Sequence, residues 1–164
     1  NPFGYYARTK LASENALKIG GTPFTILRTN VLYGIIKTGR ADFVRWVVDS
    51  VRNKKPIRIV TDQINNPTFL DDLASAIHKV IEKKKFGLYH IGGREFLSRY
   101  EFTLRIAGYF NLDKSLITTV TTDSLNAPAK RPPRTGFILD KAVRELGYNP
   151  RSFLEGLKIV ISKP

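Results

Sequence analysis

A tyrosine and a lysine stand four residues apart near the start of the chain, in the segment Tyr6-Ala-Arg-Thr-Lys10. On a helix, residues at positions i and i+4 project from the same face, and an ammonium beside a phenol favours the phenolate. A tyrosine in such a setting can act as a general acid near neutral pH, for example by protonating a carbonyl oxygen as hydride arrives. The pair therefore indicates acid–base chemistry, although a single spacing of this kind also arises by chance.

The pattern of apolar residues and turn formers predicts the elements that would position this pair. A helix is predicted from about Pro2 to Ile19, with Gly20-Gly21 closing it, and the strand Phe24-Thr25-Ile26-Leu27 follows. The other predicted helices are 42–51, one from Asp71 or Asp72 into the lysine run at 83–85, about 99–110 and two short ones in the tail. The other predicted strands are 57–60, 87–91 and about 117–120. Helices alternating with strands are typical of a parallel α/β layer. Trp46 falls on the apolar face of its helix and is predicted to lie in the core.

Composition excludes several kinds of site and favours anionic ligands. The 164 residues, 42% of them hydrophobic, are enough to bury a core. Without cysteine, disulfides, thiolate metal sites and a cysteine nucleophile are excluded, and two histidines are too few for a histidine-rich metal cage. The formal net charge of +13 favours nucleic acid, phosphorylated metabolites or acidic surfaces without choosing among them. No stretch of about twenty apolar residues is present to span a bilayer, so we expect a soluble, cytoplasmic protein with no membrane partner.

Four segments in order resemble one enzyme family, the extended short-chain dehydrogenases. The segment Tyr6-Ala-Arg-Thr-Lys10-Leu-Ala-Ser-Glu14 resembles the active-site helix of that family. The further markers are 27–34 (Leu-Arg-Thr-Asn-Val-Leu-Tyr-Gly), 66–74 (Asn-Pro-Thr-Phe-Leu-Asp-Asp-Leu-Ala), and 130–132 (Lys-Arg-Pro) with 139–141 and 145–147. The last group resembles the branch that contains dTDP-4-dehydrorhamnose reductases.

The resemblance implies an α/β fold, the C-terminal part of a Rossmann-type doubly wound sheet interleaved with a small α/β substrate-binding lobe. Residues 1–34 would be a remnant of the dinucleotide-binding domain, with the active-site helix and the following strand. Residues 35–164 would form mainly the substrate-binding lobe, and residues 65–92 would return to the Rossmann sheet.

The implied activity is hydride transfer between NADP or NAD and the C4 carbonyl of a nucleotide-linked deoxysugar, with a dTDP-sugar as the expected substrate. By this resemblance Tyr6 is the proton donor, and Lys10 holds the nicotinamide ribose and tunes Tyr6, so that both also bind the cofactor. Thr29 would border the nicotinamide. Asn30 and Val31 would face the substrate.

Two residues of the predicted substrate lobe complete the implied site. Gln63 and Arg131 lie in loops at positions that match substrate-binding residues of the family. An arginine suits a sugar diphosphate because its guanidinium forms charge-assisted, bidentate hydrogen bonds. Less specific interpretations remain open, in which Arg131 is a solvated cation and Asn30 satisfies turn backbone.

The chain departs from the family pattern in two respects. No Gly-x-x-Gly-x-x-Gly or Gly-x-Gly-x-x-Gly motif follows a predicted strand, and the serine or threonine that helps to polarise the carbonyl is also missing. We therefore expect a fragment that is inactive by itself. Rhamnose reductases often carry tryptophan at the position of Val31, which leaves the exact sugar open.

Two other functions remain as alternatives to the reductase. The regulatory beta subunit of methionine adenosyltransferase resembles the same branch and uses the fold to bind a partner rather than for catalysis. A basic nucleic-acid-binding domain would account for the charge, but no nucleic-acid motif accompanies it, and nucleic acid is not the expected partner. A homodimer is possible.

Overall fold

The structure, a computed structural model, describes residues 2, 4–35, 41–125, 127, 129 and 131–162. The helices in this part of the chain are α1 (Gly4–Ile19), α2 (Phe43–Arg52), α3 (Leu70–Glu82), α4 (Arg99–Tyr109), α5 (Asp140–Leu146) and α6 (Phe153–Ser162). The strands are β1 (Thr25–Arg28), β2 (Leu32–Tyr33), β3 (Ile57–Val60), β4 (Ile64–Asn65), β5 (Thr68–Phe69), β6 (Gly87–His90), β7 (Leu97–Ser98) and β8 (Ile117–Val120). Short 3₁₀ turns at Lys114–Leu116 and Asp123–Leu125 flank β8.

The strands pair in twos, and most of the pairs are parallel. β1 pairs with β6, β2 with β5 and β3 with β8 in parallel, whereas β4 and β7 are antiparallel. Between the strands of each parallel pair the chain passes through at least one helix, as parallel pairing requires. The predicted α/β class is confirmed.

Local sequence signals account for the helices of the central region. Asp42 caps α2, accepting from the backbone N–H of Arg45, and the buried side chains of this helix are all valines (Val44, Val47, Val48 and Val51). At the start of α4, Ser98 and Glu101 form a reciprocal capping box. Both helices therefore begin where a side chain can satisfy their free backbone N–H groups.

Two hydrophobic clusters make up the core of the described chain. The larger cluster packs α2, α4 and α6 against short strands and includes the rings of Tyr33, Phe69, Phe102 and Phe153. The smaller cluster lies between α3, β6 and α5 and contains Ala76, Tyr89, Ile91, Ala142, Leu146 and Tyr148. The predicted division into a Rossmann remnant and a substrate lobe stays a prediction.

The expectation that Trp46 belongs to the core is wrong. The four valines occupy the buried face of α2, and the indole of Trp46 is 41% exposed on the neighbouring face. Phe3 and Lys130, which belong to the predicted first helix and to the last family marker, lie outside the described residues.

Helix α1 contacts the rest of the chain much less than the other long helices do. None of its side chains is buried among those described. Glu14 anchors it to β1 by accepting two hydrogen bonds from Arg28, at 2.7 Å from Nε and 2.6 Å from Nη2. These hydrogen bonds hold the pKa of the Glu14 carboxyl below its usual value, against the opposing effect of burial.

The buried amide of Asn66 joins three separate segments. Its Nδ2 donates to the backbone oxygens of Gly93 and Phe137, each at 3.0 Å, and its Oδ1 accepts from the backbone N–H of Phe137 at 2.9 Å. A Cβ at Gly92 would lie 2.7 Å from Asn66 Nδ2, and one at Gly93 would lie 2.0 Å from the oxygen of Pro67. The two glycines allow the loop after β6 to approach closely enough for these bonds to form.

Replacement of Asn66 should cost far more stability than replacement of an exposed asparagine. In Asn66→Ala the backbone groups of Gly93 and Phe137 stay buried without their partner, so we expect the free energy of unfolding to fall by roughly 2–4 kcal/mol. Urea denaturation followed by far-UV circular dichroism measures the loss. The matched control is Asn53→Ala, because Asn53 is exposed and its side chain donates to the oxygen of Asp49 at the end of α2. Equal losses in the two variants would contradict the role assigned to Asn66.

The ion pair between Glu14 and Arg28 should stabilise the fold only at the pH values where Glu14 is ionised. Because the folded pKa lies below the usual 4.5 of a free glutamate, the contribution is complete above that pH and disappears as the pH falls through the folded pKa. Glu14→Gln should lower the free energy of unfolding at pH 7 by about 0.5 kcal/mol, since half-exposed pairs contribute little. As the pH falls below 4.5 and Glu14 becomes protonated in the folded state, the difference between the variant and the unmodified chain should shrink. A difference that stays constant as the pH is lowered through the acid range until the chain unfolds would mean that the ion pair is not its source. Asp49→Asn, which removes the exposed pair with Arg45 at 3.6 Å, serves as the control.

Candidate active site

Tyr6 and Lys10 lie on the same face of α1, as the sequence predicts. Lys10 Nζ is 5.6 Å from the centre of the Tyr6 ring. Tyr6 is 74% exposed, and Lys10 is exposed as well, so both polar groups are accessible to a ligand.

The contact between Glu14 and Arg28 fixes where this pair lies relative to the sheet. Arg28 is the last residue of β1, and the chain reverses direction between α1 and β1 through Gly20-Gly21. Tyr6 precedes Glu14 by eight residues, which corresponds to about 12 Å along the helix axis. We therefore expect the phenol to lie beyond the carboxyl end of β1, the end of a parallel sheet at which α/β proteins bind ligands.

The segment that leaves β1 at this end carries three of the predicted site residues. Thr29 Oγ1 donates to Thr68 Oγ1 at 3.0 Å, and Thr68 Oγ1 donates in turn to the backbone oxygen of Asn30 at 2.9 Å. The backbone N–H of Thr68 donates to the oxygen of Val31 at 3.1 Å. Thr68 is fully buried, so this network attaches the segment firmly to the start of β5.

Asn30 has one polar atom that the described part of the chain leaves without a partner. Its Nδ2 donates to the backbone oxygen of Thr135 at 2.9 Å, which fixes the orientation of the amide. Its Oδ1 is buried and accepts no hydrogen bond from a described residue. Since buried acceptors in folded proteins are normally paired, this oxygen fits a donor supplied by a ligand.

Val31 has an unusual backbone conformation. Its φ is +38°, a region that branched side chains rarely adopt. Strain of this kind persists where surrounding contacts hold it, and the hydrogen bond from Thr68 to the Val31 oxygen is one such contact. The conformation turns the chain sharply between Asn30 and β2.

Gln63 and Arg131 line a separate cavity of about 240 Å³. Gln63 Nε2 donates to Thr122 Oγ1 at 3.0 Å at its edge. The aromatic and basic residues around the cavity are Phe43, Trp46, Arg58, Arg99 and Arg131. Tyr6, Lys10 and residues 29–31 are not part of this lining.

One extended segment connects the cavity to the end of β1. From Arg131 the chain runs beside β4, where the N–H of Ile64 donates to the Pro133 oxygen at 2.7 Å and the N–H of Thr135 donates to the Ile64 oxygen at 3.0 Å. The Thr135 oxygen then accepts from Asn30. Four residues of extended chain span at most about 14 Å, so Arg131 and Asn30 lie within reach of a single extended ligand.

Sequence reasoning missed Arg58, Arg99 and the exposed position of Trp46 at this cavity. The segment Ser98-Arg99-Tyr100-Glu101 does predict a helix start. It carries no signal that the arginine is turned inward, since the partner ring of Phe43 belongs to a different helix.

The chain matches a known family along its whole length. The family model described as RmlD substrate binding domain matches residues 1–164. Spore coat polysaccharide biosynthesis protein SpsK of Bacillus subtilis is 30% identical over 158 residues, which cover 96% of this chain and 54% of SpsK. Methionine adenosyltransferase 2 subunit beta of Bos taurus is 31% identical over 165 residues, covering 96% of this chain and 49% of that protein.

A solved structure agrees with these sequence matches. The dTDP-4-dehydrorhamnose reductase of Bacillus anthracis in complex with NADP superposes with a TM-score of 0.88 at 30% identity, covering 100% of this chain and 57% of that one. The chain spans about half the length of the curated relatives it matches. No helix among the described residues has both the length and the apolar character needed to cross a membrane.

Proposed function

The chain belongs to the RmlD substrate binding domain family, and from this membership we propose that it forms the substrate-binding part of an NAD(P)H-dependent reductase. The proposed substrate is a nucleotide-linked 4-keto deoxysugar, with a dTDP-sugar as the first choice. The likeness to the dTDP-4-dehydrorhamnose reductase of Bacillus anthracis supports this choice of substrate class.

The observation that carries the proposal is the placement of Tyr6 and Lys10. Both are exposed on one face of α1. The contact of Glu14 with Arg28 ties this helix to the carboxyl end of β1, from which the chain continues into Thr29 and Asn30. We infer that the proton donor, the cation and the Asn30 Oδ1, which is buried and unpaired among the described residues, face a common ligand. This set of groups fits the reduction of a carbonyl to an alcohol, which needs one hydride and one proton.

In the proposed reaction the chain supplies the proton and holds the substrate. The Tyr6 hydroxyl donates its proton to the C4 oxygen as the carbonyl is reduced, and the Lys10 ammonium stabilises the phenolate that remains. Asn30 Oδ1 accepts a hydrogen bond from a sugar hydroxyl, which would pair the one acceptor of Asn30 that is otherwise unsatisfied.

A nicotinamide cofactor fits the groups that this chain offers at the same place. Lys10 and Tyr6 can donate to ribose hydroxyls, and Thr29 borders the position that we assign to the nicotinamide ring. When bound, the cofactor supplies the hydride. Residues for its pyrophosphate are not proposed in this chain, because it carries no glycine-rich motif after a strand. We expect the chain by itself to be inactive for this reason.

Gln63 and Arg131 are the residues that we assign to binding the nucleotide part of the substrate. Both line the same cavity, and an arginine there can neutralise a diphosphate. We also propose that residues 1–34 act as part of the cofactor domain and residues 35–164 mainly as the substrate lobe, with residues 65–92 returning to the Rossmann sheet.

A second candidate is a non-catalytic protein that uses this fold to bind a partner. The methionine adenosyltransferase 2 subunit beta of Bos taurus is as similar to this chain as SpsK is, at 31% and 30% identity. Turnover distinguishes the two candidates, because a partner-binding protein needs no proton donor at Tyr6.

The proposed function is tested with a polypeptide in which this chain is joined to a glycine-rich cofactor-binding half. Oxidation of NADPH and of NADH is followed at 340 nm with dTDP-4-dehydro-L-rhamnose and related 4-keto sugars. Tyr6→Phe should lower kcat by about 10²–10⁴-fold, the range for loss of a general acid. Tyr5→Phe is the matched control, because Tyr5 is the adjacent phenol on α1 and is 84% exposed without a lysine four residues later. It should retain nearly full activity.

Two results would count against the reductase. Equal activity of Tyr6→Phe and Tyr5→Phe would remove Tyr6 from the chemistry. A protein that folds and binds cofactor, but turns over none of the 4-keto sugars, would favour the partner-binding candidate.

A further inference from the structure

The side chain of Arg99 enters the cavity in an arrangement that is incomplete without a ligand. Its guanidinium carbon lies 4.4 Å from the centre of the Phe43 ring, and Phe43 in turn stacks on Phe102 with 5.2 Å between ring centres and 14° between planes. The guanidinium is thereby held in place by an aromatic ring, and no salt bridge from it to a carboxylate is found among the residues that the structure describes. Its Nη1 is buried and donates no hydrogen bond to any residue that the structure describes.

The charges around the cavity have one sign. Arg58, Arg99 and Arg131 contribute to its lining, and no aspartate or glutamate does so among the described residues. Burial, followed by the charge of Arg131, lowers the pKa of Arg99, as expected when like charges converge away from solvent. The nearby carboxylate of Asp62 is already bound to the N–H and hydroxyl of Thr122. An anion from solution would therefore neutralise the positive charge that no carboxylate in the described lining neutralises.

We propose that Arg99 binds the diphosphate of a nucleoside diphosphate, with Arg131 as the second cation of the same site. This inference rests on the proposed function for its ligand class and adds a phosphate-binding residue. Two guanidinium groups match a diphosphate because each can donate two parallel hydrogen bonds to phosphate oxygens. The unpaired Nη1 of Arg99 would become one of these donors.

The aromatic residues of the site have two different roles. Phe43 is covered by Phe102 on one side and contacts Arg99 on the other, so it positions the guanidinium. Trp46 is 41% exposed at the cavity wall, with its ring centre 5.5 Å from that of Phe43, and we assign its exposed surface to stacking on a base. In the proposed complex the diphosphate occupies this cavity of about 240 Å³ and the base lies at its rim beside Trp46.

The structure provides its own reporter for a binding experiment. Trp46 is the single tryptophan of the chain and lines the cavity, so its fluorescence responds to ligands bound there. Titrations of this chain with dTDP, inorganic pyrophosphate and thymidine need no cofactor. Salt at about 0.15 M screens non-specific attraction of anions to the +13 charge.

The decisive comparison is between Arg99→Met and Arg52→Met. Both variants remove one cation from an aromatic ring, but Arg52 lies over Phe110 at 5.7 Å and does not line the cavity. Arg99→Met should weaken dTDP and pyrophosphate by more than 10-fold and thymidine by less than 2-fold, whereas Arg52→Met should change none of them by more than 2-fold. Arg99→Lys keeps the charge without the planar fork and should give an intermediate loss, which keeps the test informative if Arg99→Met is unstable.

The proposal is overturned if the unmodified chain binds neither dTDP nor pyrophosphate. It is also overturned if the two methionine variants behave alike, or if Arg99→Met weakens thymidine as much as dTDP. Its failure is separable from that of the proposed function. If dTDP binding depends on Arg99 but the joined protein shows no turnover, the phosphate site is retained and the reductase is rejected. If the joined protein turns over the sugar but Arg99→Met does not weaken dTDP binding, the reductase is retained and the phosphate site is rejected.

Discussion

The geometry of the candidate site depends on one buried amide. Asn66 pairs with the backbone of Gly93 and Phe137, and through them it holds the loop after β6 and the extended segment 131–137 against the turn before β5. The same extended segment supplies the Thr135 oxygen that orients Asn30 and ends, at its other side, with Arg131 in the cavity. A fully satisfied buried amide is worth more than its separate bonds, because each partner would be costly to leave unpaired.

Helix α1 is held in place by a different kind of contact. Its position depends on the bidentate contact between Glu14 and Arg28 and not on burial, yet it carries the residues assigned to proton transfer. Polar groups assigned to chemistry thus lie on the least buried long helix. The groups assigned to substrate recognition lie on segments attached to the core. The positions of Tyr6 and Lys10 therefore depend on one polar contact, whereas the positions of Arg99 and Asn30 depend on packing and hydrogen bonds within the described chain.

Part of the positive charge of the chain is concentrated at the cavity, in Arg58, Arg99 and Arg131. A formal charge of +13 by itself attracts any polyanion. Specific recognition needs cations with fixed geometry, and Arg99 is fixed by Phe43, which is fixed by Phe102. These ring contacts set Arg99 apart from the other arginines, and under our proposal they would let it select a diphosphate by shape as well as by charge.

The sequence by itself determined the features that depend on neighbours along the chain. Strands 57–60 and 117–120 were predicted with their observed bounds, and helices α2 and α4 within one residue at either end, because periodicity and capping residues act locally. The i, i+4 spacing of Tyr6 and Lys10 likewise fixed their common face. The two-residue strands were not predicted, since two residues contain no period. Only the tertiary structure decided the inward turn of Arg99, the exposure of Trp46, the positive φ of Val31 and the buried pairing of Asn66. Each of these is set by atoms that lie far away in sequence and become neighbours only when the core has packed.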